Sequence, residues 1–218
     1  MNITQVYLTP NYDDTEVQVR YGYQIQTNYI QLFLEECLRK NKLDLGAFNR
    51  LVFSEGGDAS RDFNVVGNNA LPVAIEKTYS ALESLKTDRE IHDYFVSKYL
   101  EGFNKLDAHF SSVLASYLEP LIKDKFKNDL LYEKKMASKR VNDLRIVVVG
   151  RYTANSFKLI INVFEGRNLV KSRVAYESEP DMFTVRYDVY KIEITDTEIV
   201  VINKIREQTL ELKVAEII

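Results

Sequence analysis

With 218 residues, 45% of them hydrophobic and 28% charged, the chain can bury a sizeable core, and its composition excludes a disordered, collagen-like or membrane-bundle polypeptide. Twenty-nine Lys and Arg stand against 32 Asp and Glu, a net charge of -3 that is too small to imply a polyanionic or polycationic partner. One Cys precludes an intrachain disulfide, no apolar run reaches membrane-span length, and residues 1–5 lack signal-peptide character, so a reducing, cytoplasmic compartment is expected.

Val17, Val19, Tyr21, Tyr23 and Ile25 alternate with Gln18, Arg20, Gly22 and Gln24. That period of two predicts a strand, with residues 3–8 as its hairpin partner and residues 10–14 as the turn. Ile30, Phe33, Leu34, Cys37 and Leu38 then share one helix face. Short strands are expected at 50–54 and 63–66, separated by a polar loop over 55–62. Pro72 suits the first position of a helix with Ile75, Thr78, Leu82 and Leu85 inward, although 71–75 also fits a strand.

Thr87 and Glu90 form a capping box at the start of the longest apolar stripe in the chain. Ile91, Phe95, Tyr99, Phe103, Leu106, Phe110, Val113, Tyr117 and Leu121 stay in one sector, which predicts one long helix, or two nearly collinear ones, over 88–119. Pro120 is expected to stop or kink it. From Leu144 the period changes to strands at 144–149, 157–164, 169–176, 183–194, 199–205 and 209–215, with a β-bulge near Val189. Their short connections predict an antiparallel meander. The fold class is therefore α+β: a long amphipathic helix packed on a largely antiparallel sheet, with a C-terminal β-meander. Residues 1–218 read as a single domain, the alternative being a mixed part over 1–140 and an antiparallel β part over 141–218.

Groups suited to catalysis or metal binding are few. His92 and His109 lie about 25 Å apart along a continuous helix, too far to share a metal, and each fits a packed structural role better than a catalytic one. Cys37 sits on the inward helix face as a small hydrophobe. The loop over 55–62 concentrates Glu55, Asp58, Arg61 and Asp62 around Gly56 and Gly57, yet it matches no phosphate-binding or calcium-binding spacing. Neither a metal nor a cofactor is implied.

Charge is divided along the chain. Residues 1–133 carry 20 acids and 14 bases, whereas 134–218 carry 12 acids and 15 bases. A basic segment over 123–145 holds Lys123, Lys125, Lys127, Lys134, Lys135, Lys139, Arg140 and Arg145. Fourteen Tyr and 11 Phe without Trp add an aromatic content of the kind enriched at protein interfaces. These features point to a non-catalytic protein-binding module of the inhibitor or immunity type, with Glu55, Asp58, Arg61 and Asp62 as the expected partner-binding residues and no membrane contact. One alternative is a small hydrolase or transferase using the same loop with a His. A second is nucleic-acid binding through the basic segment. On the first reading, charge reversal at Glu55, Asp58 and Asp62 should slow association without changing the melting temperature.

Overall fold

The spacing of residues 17–38 serves a helix from its first turn, not the predicted hairpin. In the computed structural model, which describes residues 2–11, 15–41, 46, 48–64, 66, 67 and 69–217, Val17–Asn41 forms helix α1. Tyr12, Asp13 and Asp14 of the expected turn lie outside the described residues. Val17, Val19 and Tyr21 are exposed, while Tyr23, Thr27, Ile30, Leu34 and Leu38 are buried along one helical face. The alternation of Val17 to Ile25 thus places its first three apolar residues in solvent, and the burial phase starts at Tyr23. Strand β1 (Gln5–Pro10) pairs in parallel with β2 (Arg50–Glu55), and α1 is the crossover that such pairing requires.

The chain folds as two units, Met1–Leu130 and Leu131–Ile218. In the first, β3 (Ala70–Ile75) adds to β2, again in parallel, to complete a three-stranded sheet in the order β1-β2-β3. Leu8, Phe53 and Val73 form one cross-strand row and are buried, as are Val6, Leu51 and Leu71 in the next. The helix expected from Pro72 is therefore a strand. Pro72 is tolerated because its backbone faces the free edge, where its carbonyl accepts from the Phe63 N–H at 3.0 Å and no sheet partner needs a donor. Of the strand expected at 63–66, Phe63 has φ +62° and lies in a turn, Val66 makes a single bridge to Ala70, and Val65 lies outside the described residues.

Helix α2 (Asp88–Phe110) carries the predicted capping box and buries Phe95, Tyr99, Phe103 and Leu106. It lies against β2 and β3, close enough that a Cβ at Gly102 would fall 2.5 Å from the Phe53 ring. Side chains of α2 also cover the free edge of β3. The Lys105 ammonium donates to the Ala74 carbonyl at 2.6 Å and that of Lys98 to the Glu76 carbonyl at 3.0 Å, while the Glu101 carboxylate accepts from the Glu76 N–H at 2.7 Å. An edge occupied in this way offers no template for further pairing.

The apolar stripe breaks after Phe110. Ser111 takes a left-handed conformation (φ +53°), and α3 (Leu114–Lys125) begins with its Leu114 and Ala115 N–H groups donating to the Asp107 carboxylate at 2.7 and 2.8 Å. This resets the phase: Leu114, Ala115, Leu118 and Ile122 are buried, while Val113 and Tyr117 of the predicted stripe are exposed. Pro120 neither stops nor ends the helix, which runs to Lys125. Both Pro120 and Ser116, whose carbonyl loses its partner one turn back, are exposed, so water can replace the missing bond.

The second unit contains an antiparallel meander, β4 (Tyr132–Val141), β5 (Leu144–Tyr152), β6 (Phe157–Glu165) and β7 (Asn168–Ser178), in that order; β5 to β7 match the expected strands, whereas β4 is not among them. A second antiparallel sheet, β10-β9-β8, is formed by Lys191–Ile194 (β8), Glu198–Ile202 (β9) and Gln208–Lys213 (β10), and Val214–Ile217 closes the chain as α5. The α+β class thus holds, with the antiparallel sheets in the C-terminal unit. Residues 183–194 are not one strand. Met182–Asp188 is helix α4, N-capped by Asp181, whose carboxylate accepts from the Phe183 and Thr184 N–H groups at 3.1 Å each. Val189 is the C-cap of α4, so the parity change there is a helix-to-strand junction and not a bulge. Among the described residues no helix is long and apolar enough to cross a membrane.

Candidate functional site

Glu55, the first candidate from sequence, ends β2 at the carboxyl edge of the parallel sheet, where ligands of such sheets commonly bind. Its side chain is turned inward and fully buried. Oε2 accepts from the Tyr23 hydroxyl at 2.7 Å and the Tyr94 hydroxyl at 2.8 Å, and Oε1 accepts from the Thr78 N–H at 2.5 Å and the Thr78 hydroxyl at 3.2 Å. The two phenols also touch each other at 3.0 Å. Burial, reinforced for Tyr23 by the hydrogen bonds to Glu55 and Tyr94, raises both phenol pKa values, that of Tyr94 to about 12. The arrangement is a saturated polar knot joining α1, β2 and α2.

The rest of the loop is divided between surface and structure. Asp58 is exposed, accepts from the Ser60 N–H at 2.9 Å, and faces Arg61 at 3.5 Å. Hydrogen bonds from Ser60 hold its carboxyl below the ordinary Asp range. Asp62 accepts from the Ala74 N–H of β3 at 2.6 Å. Only Asp58 and Arg61 are therefore brought together at the surface, and charge reversal at Glu55 or Asp62 would strike the fold as well as any partner.

Neither His joins this loop. His92 is buried, with Nδ1 2.7 Å from the Tyr29 hydroxyl and the Phe126 ring 4.9 Å away, and burial lowers its pKa to about 4. His109 stacks on Phe63 with ring centroids 3.8 Å apart. The Cys37 thiol is buried and its pKa is raised by that burial. Among the described residues no group of three or more His, Cys, Asp and Glu side chains is placed to hold a metal ion.

The basic segment is divided between the two units. Lys123 and Lys125 lie on α3 and Lys127 follows it in the first unit, whereas Lys134, Lys135, Lys139 and Arg140 belong to β4 in the second. Adjacent strand residues point to opposite faces, so Lys134 and Lys135 part company, as do Lys139 and Arg140. Lys123 pairs with Glu119 at 2.7 Å and Lys139 with Asp196 at 2.9 Å.

A different part of the surface exposes large apolar side chains, and sequence reasoning missed it. Phe183 and Tyr187 are one helical turn apart on α4 and are 71% and 39% exposed. Tyr190, 62% exposed, follows the α4 C-cap, its N–H bonded to the Ile202 carbonyl of β9 at 3.0 Å. The turn between β9 and β10 meets the same helix end through the Lys204 N–H, which donates to the Tyr187 carbonyl at 2.8 Å, and it presents Ile205, 58% exposed. That turn is fixed from within: the Asn203 Oδ1 accepts from the Ile205 and Glu207 N–H groups at 3.1 and 2.8 Å, and Arg206 adopts φ +69°. Arg186 lies on the same helix, and Lys204, Arg206 and Glu207 belong to the same turn. The signal that reveals the surface is Asp181 as an N-cap, which converts the apparent alternation of Phe183, Val185, Tyr187 and Val189 into an i, i+4 pattern with the valines inside and the aromatics outside.

No protein-family model matches the chain, and comparison with curated proteins and with solved structures yields no significant match.

Proposed function

We propose that the chain is a protein-binding module whose partner seats on Phe183, Tyr187, Tyr190 and Ile205. One observation carries the reading: four large apolar side chains, 39% to 71% exposed, are held by a helix and a turn that hydrogen-bond to each other. A cluster of exposed aromatics with polar tips is the composition of an interface centre, and a backbone ordered before binding loses little conformational entropy when the partner arrives. Arg186, Lys204 and Arg206, on the helix and turn that carry these side chains, favour a partner that presents acidic groups beside an apolar recess. An inhibitor or immunity-type role fits such a rigid surface, and a cytoplasmic setting suits a chain whose single thiol is buried.

The test is affinity capture with the intact chain and with Phe183→Ser and Tyr190→Ser variants that retain wild-type circular dichroism and melting. A stoichiometric protein bound by the wild type and lost from both variants is expected. The same protein recovered undiminished by the variants, or recovery that nuclease abolishes, would overturn the proposal.

A further inference from the structure

One face of the β4–β7 meander carries two rows of paired residues with opposite charge logic. At one end, the cross-strand row Glu133, Arg151, Lys158 and Glu177 is neutral, with Glu133 bonded to Arg151 at 2.7 Å and Lys158 to Glu177 at 3.1 Å. At the other end, the row on the same face is Arg140, Arg145, Phe164 and Leu169. Two guanidinium groups stand directly opposite each other in the ladder, an arrangement that ordinarily destabilises a sheet.

These arginines line an open concavity of about 360 Å³ together with Ser138, Lys139, Asp143 and Arg167. Arg167 enters from the β6–β7 turn, and Gly166, with φ +60°, lets that turn close. The Arg145 guanidinium lies over the Phe164 ring at 4.7 Å, which fixes its direction. Lys139 is engaged by Asp196, so Asp143 is the one acid of the lining set against Arg140, Arg145 and Arg167. Among the described residues none of these three arginines forms an ion pair.

We infer that this hairpin end is a binding site for a phosphomonoester dianion. Three arginines against one Asp leave two positive charges, which match a group carrying roughly two negative charges at neutral pH. Guanidinium forks suit phosphate oxygens, and an anion between Arg140 and Arg145 converts their repulsion into a shared attraction. A polyanion is disfavoured because the positive charge thins along this face: between the two rows Lys135 is the one base, and the far row is neutralised by its own carboxylates.

Titration calorimetry of the intact chain with inorganic phosphate, at low salt and about pH 7.5, should show one saturable site. Combined Arg140→Gln and Arg145→Gln substitution should weaken it by at least about tenfold. Arg167→Gln, which lies in a turn and leaves the ladder untouched, should also weaken it, whereas Lys158→Gln in the neutral row should not. A phosphoserine peptide of otherwise neutral sequence separates the sources: tighter binding than phosphate assigns the group to a phosphorylated protein, and equal binding assigns it to small phosphate esters. The inference fails if phosphate does not saturate, if the Arg variants bind it unchanged, or if a single-stranded oligonucleotide displaces it with affinity that grows with length.

Discussion

Replacing Glu55 by Ala removes the acceptor at the centre of the polar knot between α1, β2 and α2. The Tyr23 and Tyr94 hydroxyls and the Thr78 N–H then lose a carboxylate that each meets within 2.8 Å. Hydrogen bonds to a charged group are worth about 1.5 to 3 kcal/mol each, but they are not additive, and the two phenols can still bond to each other. A loss of about 3 to 5 kcal/mol is expected, because buried donors left without an acceptor cost about 1 to 3 kcal/mol each. At about 3 °C per kcal/mol for a unit of this size, the transition of the first unit should fall by about 10 to 15 °C. Glu55→Gln, which keeps one acceptor, should lose about half as much. Differential scanning calorimetry resolves the change, and because the chain has two units the shift belongs to the N-terminal transition. If Glu55→Ala melts within about 2 °C of wild type, the carboxylate is not buried as described and the loop regains its standing as a surface site.

Gly102→Ala should destabilise despite a better helix former in α2, because the new Cβ would meet the Phe53 ring at 2.5 Å; overpacking of about 1 to 3 kcal/mol outweighs a propensity gain of about 1. Asp107→Ala should cost about 1 to 2 kcal/mol by uncapping α3, measurable by urea denaturation, while Asp58→Asn at the exposed turn should change stability little. His92 is held neutral, its pKa lowered from 6.5 to about 4, so the unfolded chain binds the proton more readily. Its contribution is complete above about pH 6.5 and falls by about 2 to 3 kcal/mol as the pH drops toward 4. His92→Phe should flatten that slope, and an unchanged pH profile would contradict it.

How much was readable from sequence depended on whether local pattern and tertiary duty coincided. The capping box at Thr87 and the meander after Leu144 were legible because turn chemistry and side-chain period agree there. Where exposed apolar residues interrupt the pattern, period alone misled: Val17, Val19 and Tyr21 imitate a strand on a helix whose buried face starts later, and Phe183 and Tyr187 imitate one on α4. Strand β4 was invisible because its Lys-rich run faces solvent and its register shifts at Met136, which removes any alternation. Glu55 was grouped with Asp58 and Asp62 by proximity in sequence, yet as the last residue of β2 it belongs to the core. Phase after Ser111 depended on one left-handed residue, which no periodicity encodes.

The most direct test of the protein-binding reading is site-specific photo-crosslinking in cells that produce the chain, with benzoylphenylalanine placed singly at positions 183, 187, 190 and 205 and at the exposed position 113 of the first unit as a control. One protein adduct common to the four surface positions and absent at 113 is the predicted result. Adducts at 113 but at none of the four, or the same adduct at all five, would contradict the placement of the partner on α4 and the β9–β10 turn.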